Sequence, residues 1–112
     1  MLTELQTDKN GHKIPVLSLL PAGGHVIAAG GTTTRNSIAF REDTKVVSVF
    51  STTDVFIKFG GDDVSATTGD HFFPAGIYYD FSLGGENTAG RFLHLAVLQA
   101  NTSGSVYVSE KV

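Results

Sequence analysis

Between Phe59 and Phe81 the chain reads FGGDDVSATTGDHFFPAGIYYDF, which brings Asp62, Asp63, Asp70 and His71 close together in a glycine-rich stretch. Carboxylate oxygens and an imidazole so spaced could hold a cation or serve a catalytic loop. The EF-hand order of alternating ligands closed by Glu is absent, however, and GDDVSATTGD is ordinary loop composition. Asp and Asn favour such loops because their side chains accept hydrogen bonds from nearby backbone N–H groups, which accounts for the acids without an ion. The stretch therefore reads as a long connection between strands, closed by the Pro74-Ala75-Gly76 corner.

The four histidines, His12, His25, His71 and His94, show neither HxH nor HExxH spacing. A cupin-like centre would have to be assembled from residues distant in sequence, and no metal ligand is assigned. His94 shares a strand face with Phe92, Ala96 and Leu98, so it reads as a hydrogen-bonded histidine at a core edge or an interface. The serines and threonines fall in turns, without a GxSxG elbow, and Gly30-Gly31 lacks a GxGxxG or Walker pattern, so no catalytic or cofactor-binding residue is assigned. The expectation is a non-enzyme without a cofactor. Phe72, Phe73, Tyr78, Tyr79 and Phe81 could stack on a sugar, but such residues more often divide between a core and a protein contact.

What must position these residues is limited by size and composition. A chain of 112 residues fits one domain. At this size folding hides somewhat under about 70% of the unfolded surface, so association would add needed stability. Net charge is −3, with only eight Lys plus Arg, scattered along the chain, which excludes a nucleic-acid footprint. The absence of cysteine removes disulfides, thiolate catalysis and Cys-ligated zinc. MLTELQTDKNGHK has neither the basic start nor the apolar run of a signal peptide, and no apolar stretch of about 18 residues occurs, so a protein made and kept in the cytoplasm, without a membrane span, is expected.

Thirteen glycines and short apolar runs rich in β-branched and aromatic residues mark an all-β chain. Strands are expected over 12–20, 25–29, 37–40, 45–51, 54–59, 77–83, 91–100 and 105–109, with IPVLSLLPAGGHVIAAGG as a hairpin turning at Pro21 to Gly24 and GGTTTRNS as a loop. Such short, evenly spaced strands predict a single β-sandwich or jelly-roll-like domain. Val55, Ile57 and Phe59 share one face against Asp54, Phe56 and Lys58, and Val106 and Val108 oppose Ser105, Tyr107 and Ser109. FLHLAVLQA, 92–100, is apolar on both faces, as a central strand covered on each side would be, with a short buried helix as the competing reading. Residues 1–13 carry isolated Leu2 and Leu5 in a polar context and are expected to form an arm ordered by a neighbour, leaving 14–112 as the sandwich.

The order TKVVSVFSTTDVFIKFGGDDVSATTGDHFFPAGIYYDFSLG followed by HLAVLQANTSGSVYVSE resembles small structural proteins of tailed phages and prophages, over roughly Lys45 to Glu110. The pattern is a valine-rich strand, a Thr-Asp turn, an FI-x-FG strand, an AT-rich loop, a PAG corner and a closing VLQA and G-x-VYV-x-E pair. The resemblance implies a β-sandwich virion component made in the host cytoplasm, either a capsid decoration (cement) protein or a head-tail connector of the neck. The N-terminal third departs from the pattern. The implied partners are further copies of the chain, as a trimer by analogy with local threefold positions of a shell, and the major capsid protein or another virion protein. Leu2, Leu5, Phe72, Phe73, Tyr78 and Tyr79 are the expected contact residues. A carbohydrate-binding module using Phe72, Tyr78 and Tyr79, and a cupin-like metalloenzyme, are the rival readings.

Overall fold

The computed structural model describes Thr7 and residues 9–12, 17–84 and 92–111. Leu2, Leu5 and most of the expected arm lie outside the described residues. Eight strands run in chain order: β1 (Leu19–Ala29), β2 (Thr34–Arg35), β3 (Val46–Ser51), β4 (Val55–Gly60), β5 (His71–Phe73), β6 (Tyr78–Ser82), β7 (His94–Gln99) and β8 (Gly104–Lys111). They form two antiparallel four-stranded sheets, ordered β1-β8-β3-β6 and β2-β7-β4-β5. Eight strands divided in this order give the connectivity of a jelly roll.

The period-two pattern decides which side chains meet between the sheets. Ile27, Val47, Val49, Val106 and Val108 from one sheet pack against Val55, Ile57, Phe73, Leu95 and Val97 from the other, with Phe40 and Leu83 closing the core. β7 is a strand, not a helix, and both its faces are covered. Leu95 and Val97 enter the main core, while Ala96 and Leu98 face outward and are covered by Val64 and Ala66 of the 61–70 loop. That loop is held by Arg35 Nη1, which donates to the Val64 carbonyl at 3.2 Å, and by the Ala66 N–H, which donates to Thr33 Oγ1 at 2.8 Å. Gly60 permits the approach: a Cβ there would lie 2.7 Å from Val64 Cγ2.

Several expected elements are corrected. Pro21 to Gly24 is not a hairpin turn; β1 continues through it, with Leu19 opposite Lys111 and Gly24 opposite Ser109, so that four residues bulge across the single Glu110. On an edge strand Pro21 sacrifices no ladder bond, Ala22 takes a left-handed φ of 61°, and a Cβ on Gly23 would sit 3.0 Å from Glu110 Cβ. The segment 37–40 is not a strand: Phe40 is buried as part of a connection, its N–H donating to the Leu93 carbonyl. Thr34 and Arg35, expected in a loop, pair with β7, and His71 to Phe73 pair with β4. The second PAG is a turn, with Gly76 at φ 81°.

Glu110 joins the first strand, the last strand and the connection before β3. Its Oε1 accepts from the Arg41 N–H and the Thr44 hydroxyl, both at 2.8 Å, and its Oε2 lies 2.9 Å from His25 Nε2. The His25 ring stands edge-on to Phe40 at 5.0 Å, so this buried carboxylate is enclosed by partners at one end of the core.

Candidate interaction surface

The outer faces of the two sheets differ. The β2-β7-β4-β5 sheet is partly closed by its own 61–70 loop. On the β1-β8-β3-β6 sheet, Val26 lies opposite Tyr107, Tyr107 opposite Phe50, and Phe50 opposite Tyr78. These four residues form one row across all four strands, about 14 Å long at the usual strand spacing. Val26, Tyr107 and Tyr78 are 65, 47 and 56% exposed. Their outward direction is forced by their neighbours, since Ile27, Val49, Val106 and Val108 take the inward positions on β1, β3 and β8.

The adjoining row, Gly24, Ser109, Ser48 and Asp80, is small and polar. Ser48 Oγ donates to Asp80 Oδ1, and Lys111 Nζ donates to the same oxygen at 3.0 Å while standing 5.1 Å from the centre of the Tyr78 ring. The Ser48 hydroxyl foremost holds the Asp80 carboxyl below its ordinary range, with burial opposing it and Lys111 adding to it. An apolar aromatic row bordered by a charged, hydrogen-bonded rim has the anatomy of a protein contact.

The expected contact residues separate. Phe72 and Tyr78 are exposed but belong to different sheets, Phe72 opposite Phe56 and Tyr78 opposite Phe50. Tyr79, 57% exposed, alternates with Tyr78 and turns the other way, its ring 5.1 Å from Phe81 at the open edge of the sandwich. Phe72, Tyr78 and Tyr79 thus do not share one stacking platform. Phe73 is a correction: opposite Val55 it faces inward, is 5% exposed and belongs to the core, so it offers no contact area. At the edge where β5 and β6 end their sheets, Phe59, Phe72, Phe73, Phe81 and Phe92 line a cleft of about 530 Å³. Val26, Phe50 and Tyr107 were not among the expected contacts, although the alternation of Tyr107 with Val106 and Val108 carried the signal.

The acidic stretch behaves as a loop. Asp70 Oδ2 accepts from the Thr67 N–H at 2.7 Å and the Thr67 hydroxyl at 3.2 Å, and the backbone bond foremost lowers its pKa. Among the described residues no group of three or more His, Asp or Glu is placed to hold a metal ion, and no helix is long and apolar enough to cross a membrane. No known protein family, no curated protein and no solved structure matches the chain.

Proposed function

We propose that the protein is a non-enzymatic structural component of a tailed-phage particle, a capsid decoration protein that docks on the shell through the outer face of the β1-β8-β3-β6 sheet. The observation that carries this reading is the row Val26, Tyr107, Phe50 and Tyr78, exposed at three positions and half-buried at Phe50, laid in register across a sheet whose counterpart is partly covered by its own loop. Three of the four residues also fall within the segment that resembles phage structural proteins. Large aromatic side chains bury about 150–250 Å² each, so the row fits the centre of a contact of about 800 Å² per partner, with Asp80 and Lys111 at its rim. The contact would act mechanically, by adding interface that must break before the shell expands or bursts.

Tyr107→Ser tests it. In virions of the phage that encodes the chain, the wild-type protein should approach parity with the major shell protein by gel densitometry. The variant should bind the same shells about tenfold or more weakly while unfolding at nearly the wild-type temperature. A copy number of a single ring would instead assign the protein to the neck. Unaltered shell binding by a folded Tyr107→Ser protein would remove this face from the reading.

A further inference from the structure

A polar recess of about 580 Å³ lies at the start of β7, distinct from the aromatic row. It is built on Asn36, which is buried and fully engaged. Asn36 Oδ1 accepts the Leu95 N–H at 2.8 Å, and Nδ2 donates to the carbonyls of Ile38 at 2.7 Å and Leu93 at 3.4 Å. The Asn36 carbonyl lies 3.0 Å from His94 Nδ1. A carbonyl can only accept, so Nδ1 carries the proton and the neutral ring keeps its lone pair on Nε2. His94 is 8% exposed and lines the recess, yet Nε2 has no partner among the described residues. A buried acceptor left unpaired is unfavourable, which makes this nitrogen a point of demand for a donor.

The surrounding groups narrow what the donor belongs to. Arg35 spends Nη1 on the Val64 carbonyl, and the rest of its guanidinium has no partner among the described residues. Asp62, carried into the wall by the turn after Gly60, has no hydrogen bond or ion pair among the described residues. Thr34 and Ser37 also line the recess, with the Thr34 hydroxyl donating to the Ala28 carbonyl. A bare anion would suit Arg35 but would meet repulsion from Asp62 and no proton on His94 Nε2. A neutral polyol would suit His94 and Asp62 but leave the guanidinium, a fork made for carboxylate, without its match.

We propose that this recess binds a small hydroxylated carboxylate of the sugar-acid type, with its carboxylate on Arg35 and its hydroxyls donating to His94 Nε2 and Asp62. The volume lies within the range of small-molecule sites, and with few contacts in an open recess the affinity is in the millimolar range. Nothing in this assignment depends on the docking face, so either can fail alone.

The test uses the full chain, labelled with nitrogen-15, titrated with D-glucuronate, D-glucose, acetate and inorganic phosphate. Long-range proton–nitrogen spectra should show His94 protonated on Nδ1. D-glucuronate should shift the side-chain signals of His94 and Arg35 to saturation, with D-glucose, acetate and phosphate each binding about tenfold more weakly. Asp62→Asn, at an exposed position without a structural hydrogen bond among the described residues, should keep the wild-type spectrum and weaken D-glucuronate about fivefold. The opposite tautomer, an absence of saturation, acetate or phosphate binding as strongly as D-glucuronate, or an unchanged affinity in Asp62→Asn would each overturn the assignment.

Discussion

Glu110→Ala should be among the most damaging single changes in this chain, and the size of the effect follows from its partners. Glu110 is 3% exposed and accepts three hydrogen bonds, from the Arg41 N–H, the Thr44 hydroxyl and His25 Nε2. Alanine removes the acceptor from all three, and the bulge of β1 loses the side chain it wraps. A buried polar group deprived of its partner costs about 1–3 kcal/mol, and breaking a buried charged cluster about 3–5 kcal/mol. For a domain whose whole stability is about 5–15 kcal/mol, a loss near 4 kcal/mol is a large fraction. With a urea slope of about 2 kcal/mol per M, the unfolding midpoint should fall by about 2 M. Glu110→Gln keeps one oxygen for Arg41 and Thr44 and should lose only about 1–2 kcal/mol, because what it forfeits is the charge assistance. Urea unfolding of the three proteins, followed by circular dichroism, reads this order directly. If Glu110→Ala unfolds within about 1 kcal/mol of wild type, the carboxylate does not bind these segments together and the reasoning fails.

Two further outcomes follow from contacts described above. Gly60→Ala places a Cβ 2.7 Å from Val64 Cγ2, so it should destabilise the domain by about 1–3 kcal/mol, and Val64→Ala in the same chain should recover part of that loss in a double-mutant cycle. The Asp80 carboxyl titrates below its ordinary 3.8, so its contribution to stability is complete above that value and is lost as the pH falls through the folded-state pKa; carbon-13 titration should show Ser48→Ala moving that pKa upward, and an unmoved value would exclude the hydroxyl as the main cause.

Strands with clean alternation are legible in the sequence itself. Val55, Ile57 and Phe59 face inward on β4, and Val106 and Val108 do so on β8, because a period of two leaves only one way to bury them. The doubly apolar β7 was legible for the same reason, although nothing local indicated that its outer side would be covered by Val64 and Ala66 rather than by another sheet. Pro21-Ala-Gly-Gly misled because turn chemistry and bulge chemistry use the same residues; the difference lies in Glu110, 90 positions beyond Leu20 in the chain. β2 and β5, of two and three residues, are too short to show a period and exist through their pairing with β7 and β4. The contact residues depended on register in the same way. Of the adjacent Phe72 and Phe73, the one opposite Val55 had to enter the core, a pairing that no window of local sequence contains. The recess at His94 was less accessible still, since Arg35, Asp62 and His94 come from three separate parts of the chain.

The pairing of Leu19 with Lys111 has a practical meaning. The backbone enters β1 and leaves β8 at the same corner of the sandwich, on neighbouring strands, much as both ends of a loop of rope pass through one knot. A cargo attached beyond Lys111 would therefore emerge beside the point of entry, leaving the opposite pole, where β1 ends and β8 begins, clear of it. The Asn101 to Ser103 turn, just before β8 begins, lies at that far pole, so a segment inserted there would stand clear of both.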